Sequence, residues 1–261
     1  MLRTSFSARF SAALATFVLC AAARAAPDAQ NILAASDLIR NPGGTFSVTT
    51  RLAEYRDGAQ VGTAGVSVLS RTAEDTGQYN TLVYFFDPAR DAGKRMLKRG
   101  NDLWFYDPVS QSSIRISPQQ RLLGGAANGD VVTVNFAKDY TATLTAEEDI
   151  TDGDRTARHC YRLALAARNK DVTYDNIEMW VDTANNRPVK ARYYAQSGRL
   201  LKTAFYRGYR KELGVERPVE IVIIDGLDPK WVTVMRFSDY KLRDASESWF
   251  QRDYLARFQP G

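Results

Sequence analysis

His159 and Cys160 are neighbours, and a thiol beside an imidazole is the simplest pair for nucleophilic catalysis. The chain has one histidine, so no other imidazole can act as a base, and sites built from several histidines are excluded. Consecutive residues of a strand point to opposite faces, so these two side chains cannot share a hydrogen bond, and a structural role is expected for both. Glu147, Glu148, Asp149, Asp152 and Asp154 offer oxygen ligands around a D-x-x-D-G-D string. That string lacks the spacing and the closing Glu of a calcium loop and reads as a solvated turn. Asp87-Pro88 and Asp107-Pro108 read as turn starts. No G-x-S-x-G, P-loop or dinucleotide fingerprint occurs. The expectation is a non-enzyme with no cofactor and no metal.

The remaining candidates bind rather than react. Lys94, Arg95, Lys98 and Arg99 surround Met96 and Leu97 as a basic patch. It reads either as a solvated strand edge or as a dock for an acidic partner or lipid headgroups. Tyr84-Phe85-Phe86 and Trp104-Phe105-Tyr106 place bulk on both faces of their strands. One face packs on a core and the other needs a helix, a lid or a ligand. Phe85, Trp104 and Tyr106 are therefore candidate cavity residues. Between Pro118 and Asp130 there is no strand alternation. Gly124, Gly125 and Gly129 loosen this segment while Leu122 and Leu123 give it an apolar tip, so Gln119 to Gly129 is expected to act as a mobile lid.

These groups need a scaffold. Pro27 suits a first helical turn, Ile32, Leu33, Ala35, Leu38 and Ile39 fall on one helical face, and Asn41 to Gly44 stops the helix. From Thr45 the period becomes two: Phe46, Val48, Thr50 and Leu52 alternate, Arg56-Asp57-Gly58 turns, and Val61 to Ser70 returns. Further strands are expected at Thr81 to Phe86, Lys94 to Lys98, Leu103 to Tyr106 and Ser112 to Ser117. The second half adds Thr143 to Leu144, Arg158 to Ala164, Asn176 to Val181, Val189 to Tyr194, Leu200 to Tyr209, Pro218 to Ile224 and Trp231 to Tyr240. Phe250, Tyr254, Leu255 and Phe258 fit a short helix over the sheet. One large antiparallel sheet in one domain accounts for this meander.

The 261 residues are 44% apolar and 25% charged, the balance of a globular protein, and 11% aromatic, which excludes a disordered chain. Arg3 and Arg9, the acid-free apolar stretch Phe10 to Ala23, and Ala23-Arg24-Ala25 read as a secretory signal cleaved after Ala25. Leu19 before Cys20 argues against a lipobox, so the mature chain is expected to start at Ala26 without lipid. The leader holds three basic residues and no acid, so the formal charge drops from +5 to +2. Nucleic acid is not expected as a partner. Cys160 alone remains among cysteines, so no internal disulfide forms. A soluble, monomeric periplasmic protein is the expectation.

Several segments together resemble the outer-membrane lipoprotein-sorting protein family of LolA/LolB-like periplasmic carriers. They are Asp87 to Pro108 (DPARDAGKRMLKRGNDLWFYDP), Ser113 to Ser117, Asn128 to Asp130, Trp180 to Tyr194, Ser197 to Thr203, and the RPVEIVI and WVTVMRF strands. The likeness spans most of residues 40 to 258. It implies a mainly β, strongly curved antiparallel half-barrel of about eleven strands, with a few helices covering the concave face over an apolar cavity for acyl chains. It further implies a carrier for the acyl chains of a lipid or lipoprotein, and for some relatives an accessory role beside an inner-membrane RND-type lipid exporter. No single functional residue is carried over. A non-catalytic assembly module for a transporter and a hydrolase with converging carboxylates are the competing functional classes.

Overall fold

The computed structural model describes residues 27–259; the expected leader and its cleavage site lie outside them. Helix α1 (Ala29–Arg40) starts where the Asp28 carboxylate accepts from the Gln30 amide at 2.8 Å, with Pro27 just before the cap. Its buried stripe is Ala29, Ile32, Leu33, Ser36 and Asp37, at the helical spacing i, i+3, i+4, i+7, i+8. Leu38 falls off that stripe and is 66% exposed, so the expected apolar face was rotated.

Seven strands and two short hairpin arms follow. They are β1 (Thr45–Arg56), β2 (Ala59–Thr72), β3 (Tyr79–Asp87), β4 (Arg95–Arg99), β5 (Asp102–Asp107), β6 (Ser112–Arg115), β7 (Arg121–Leu123), β8 (Ala126–Ala127) and, after helix α2 (Phe136–Asp139), β9 (Tyr140–Thr151). The remainder is β10 (Ala157–Ala167), β11 (Asn176–Asp182), β12 (Pro188–Tyr194), β13 (Leu200–Arg207), β14 (Arg210–Glu212), β15 (Val215–Arg217), β16 (Glu220–Asp225), β17 (Trp231–Leu242) and helix α3 (Arg252–Leu255). Thirteen strands form one sheet in the order β6-β5-β4-β3-β2-β1-β17-β16-β13-β12-β11-β10-β9, every pair antiparallel. The pairing of β1 with β17 joins the two halves of the chain. Hairpins β7–β8 and β14–β15 stand outside the sheet.

Leu103 of β5 and Leu163 of β10, near opposite edges of this sheet, belong to one buried core. A flat sheet cannot bring them together, so the sheet curls; β6 and β9 do not pair, and it stays an open half-barrel. Helices α1 and α2 cover the concave side. Gln30 ties α1 to β9 and α2, donating to the Ala137 and Tyr140 carbonyls at 2.9 and 3.1 Å and accepting from the Ala142 amide at 2.9 Å.

The outer face has its own cover. Leu69, Leu82, Leu97 and Tyr106 form a second core with Ala245, Phe250, Leu255 and Phe258. The C-terminal arm thus packs on the side opposite α1, and supplies what the double-faced aromatic strands require. Gly65 permits this strand geometry: a Cβ there would stand 2.4 Å from the Phe86 ring.

Candidate functional site

The concave core holds a partly open cavity of about 140 Å³. Alternation on the strands supplies its walls: Phe46, Val48 and Thr50 of β1, Leu103 of β5, Ile221 and Ile223 of β16, Met235 and Phe237 of β17. Its roof is Arg40 of α1, Phe136 of α2 and the strap Asp130 to Val134.

Three cations reach this space. Arg40 lies 3.8 Å over the Phe136 ring, pairs with Asp37 on its own helix and donates to the Val134 carbonyl at 2.9 Å. Lys98 donates to the Tyr79 carbonyl at 3.3 Å; burial lowers its pKa, and Asp139 opposes that shift. Lys202 on β13 is 3% exposed and pairs with Asp130 of the strap. Burial lowers the Lys202 pKa, and the Asp130 carboxylate works against it. Tyr174 Oη donates to both Asp130 oxygens at 3.0 and 3.1 Å, while the Tyr193 and Tyr206 hydroxyls share a bond of 2.9 Å. Burial raises the Tyr174 and Tyr193 phenols far above their ordinary range, so both stay protonated donors.

The sequence candidates are distributed differently from what their runs suggested. Phe85 is buried on the concave side, edge-to-face with Phe105 at 6.4 Å, but does not border the cavity. Trp104 and Tyr106 belong to the outer face, under the C-terminal arm, where the Arg252 guanidinium sits 4.3 Å over Trp104. Leu103 and Phe105 take the inward positions. The basic patch is split by the same alternation. Arg95 is buried on the outer face, donating to the Phe258 carbonyl at 2.6 Å, and Arg99 is exposed. Lys98 faces inward, and Lys94 pairs with Asp91 at 2.7 Å. These four do not make one surface.

The expected lid is the β7–β8 hairpin. Leu122 and Leu123 are half-buried against the core margin and do not border the cavity; Pro118 and residues 129–134 do. Gly124 turns this hairpin at φ +55° close to Thr233, whose Oγ1 accepts from the Gly125 amide at 2.8 Å. Asp130, Tyr174 and Lys202 were not singled out from the sequence. The signal was a lysine in register with Ala204 and Tyr206, on the inward face of its strand.

His159 and Cys160 do face opposite ways: Cys160 is fully buried beside Trp180 and Val189, and burial pushes its thiol up to about 12. His159 is exposed between Asp149 at 2.7 Å and Glu147 at 2.8 Å, whose hydrogen bonds raise its pKa, Asp149 the more. Glu147 to Asp149 lie within strand β9 rather than in a turn; only Asp152 and Asp154 occupy the turn.

Among the described residues, no helix is long and apolar enough to cross a membrane. No curated protein matches the chain. Residues 77–257 match a family model described as "Uncharacterized protein". Among solved structures, a DUF1329 family protein from Desulfovibrio piger is 21% identical, with TM-score 0.74 over 88% of this chain and 100% of its own. A domain described as an outer membrane lipoprotein-sorting protein, from Vibrio parahaemolyticus, is 20% identical, with TM-score 0.72 over 88% of this chain and 98% of its own. At those identities the likeness concerns the fold. A LolA superfamily protein from Nitrosomonas europaea goes further: 38% identity and TM-score 0.78 over 88% of this chain and the whole of that one. At that identity and coverage, and with the open half-barrel described above, this chain belongs to the LolA superfamily.

Proposed function

We propose that this protein is a periplasmic, non-catalytic carrier that holds acyl chains of a lipid or lipoprotein in the concave cavity and passes them toward the outer membrane. An accessory role beside an RND-type lipid exporter is part of the same proposal. The observation that carries it is the cavity itself, walled by aliphatic and aromatic side chains from both halves of the sheet. Each buried methylene contributes roughly 0.8 kcal/mol, so about ten give roughly 8 kcal/mol, equivalent to micromolar affinity. The cavity is smaller than the ~300–1,000 Å³ of ordinary ligand sites. A long chain therefore enters as the strap and its β7–β8 hairpin yield, which is the lid role in its corrected place.

Purified, refolded protein is expected to bind a fluorescent fatty acid saturably, at micromolar concentration or tighter. Trp104→Ala should leave that affinity within about twofold, because its ring packs on the outer face. A folded β protein without saturable binding would replace the carrier by the assembly module.

A further inference from the structure

We propose that the cavity selects amphiphiles with one anionic head, a carboxylate or phosphate, and seats that head on Lys202 in place of Asp130. This rests on the carrier reading and narrows its ligand class.

Acyl chains alone need no buried ammonium. Lys202 is nonetheless 3% exposed on a strand face otherwise carrying Ala204 and Tyr206. Taking an ammonium out of water is costly, and apolar residues of similar size would usually serve stability as well. Its surroundings form a donor-rich pole. The Tyr174 and Tyr193 rings lie 4.7 and 5.2 Å from Nζ, the Tyr174 hydroxyl points at the same carboxylate, and the Tyr193–Tyr206 hydroxyl pair lies beside it. Such a pole suits a planar or tetrahedral anion.

The location of the counter-ion separates Lys202 from the other two cations. Arg40 is neutralised from its own helix, and Lys98 donates to the Tyr79 carbonyl within the sheet, whereas Lys202 donates to the Gly125 carbonyl of the β7–β8 turn at 3.4 Å and to Asp130. Asp130 belongs instead to the strap, 72 residues from Lys202 in the chain, and accepts from the Ala127 amide of the adjoining β8 at 2.7 Å. When the strap lifts, the carboxylate leaves with it. Lys202 and Tyr174 then face the cavity without that carboxylate, and an incoming anionic head restores the charged partner both have lost. Opening and head-group recognition are one event.

The experiment compares laurate, dodecyl phosphate, dodecanol and inorganic phosphate as displacers of a fluorescent fatty acid from the full-length mature protein. Laurate and dodecyl phosphate are expected to bind at least about tenfold tighter than dodecanol, with no displacement by inorganic phosphate. Lys202→Met should erase that preference. Asp130→Asn, which weakens the internal competitor, should tighten laurate binding severalfold. Equal affinity for laurate and dodecanol overturns the head-group assignment while the carrier reading stands. Displacement by inorganic phosphate alone overturns it in favour of a free-anion site, and binding of none of these ligands removes the carrier reading with it. Should Lys202→Met fail to fold, Asp130→Asn decides: lower stability with no gain in laurate affinity marks a purely structural ion pair and overturns the proposal.

Discussion

Phe250→Ala is expected to destabilise the protein by about 3–5 kcal/mol, the range for deleting a fully buried aromatic ring. Phe250 is 0% exposed at the centre of the outer core, between the C-terminal arm and Leu69, Leu82 and Leu97. The arm has little secondary structure to hold it, only a short turn and the four-residue helix α3. Its attachment rests on this ring, Leu255 and Phe258, with the Arg95–Phe258 and Arg71–Ala245 hydrogen bonds at 2.6 and 3.0 Å. Removing the ring should loosen the whole arm and uncover Leu82 and Leu97, so little of the void can close. Urea unfolding should show the loss with the fatty-acid affinity of the remaining folded protein unchanged, since the arm and the cavity lie on opposite faces. A loss below about 1 kcal/mol would mean that the arm is an ornament of the surface rather than the cover of a second core.

Asp37→Ala should cost a similar amount, about 3–5 kcal/mol, for an electrostatic reason. Asp37 is 4% exposed, and its two oxygens divide their work. One accepts from Arg40; the other accepts from the Ala137 amide of α2 at 2.7 Å. Burial disfavours the Arg40 charge, and Asp37 is the strongest of the neighbours that offset that cost. Alanine leaves a guanidinium in the roof with a carbonyl but no carboxylate, and orphans an amide of α2. Asp37→Asn keeps an acceptor for Ala137 and should fall between wild type and Asp37→Ala. Chemical unfolding of the two variants separates charge from hydrogen bond; equal, small losses would show that the roof does not depend on this pair.

The strands were legible because alternation is local: Phe46, Val48, Thr50 and Leu52 are buried as their spacing demands. Which side of the sheet they serve was not. In Leu103-Trp104-Phe105-Tyr106 both faces are bulky, and only the arm, about 150 residues further on, decides that Trp104 and Tyr106 face outward. The basic run failed for the same reason, since alternation sends Arg95 and Lys98 to opposite sides. Of strand β9 the sequence signals only Thr143 and Leu144, because an edge strand half in solvent alternates threonines and acids with few apolar residues. The polar pole was illegible in another way. Asp130, Tyr174 and Lys202 come from a strap, a loop and a strand, and only the curl of the sheet makes them neighbours. Hairpin β14–β15 was missed because its sequence, mostly charged, shows no alternation; Arg217 fastens it to α1 through the Leu38 and Ile39 carbonyls at 2.7 and 2.9 Å.

The central claim is that acyl chains occupy the concave cavity. Among the described residues, none of the four tryptophans borders it, so an indole placed there reports on it alone. Phe237 on β17 does border it, and Phe237→Trp adds that reporter at modest cost in volume. Saturating brominated stearate, whose bromines quench an indole they touch, should quench the added emission of Phe237→Trp and leave the wild-type tryptophans nearly untouched. Equal quenching of variant and wild type, or none in either at saturation, would contradict the account.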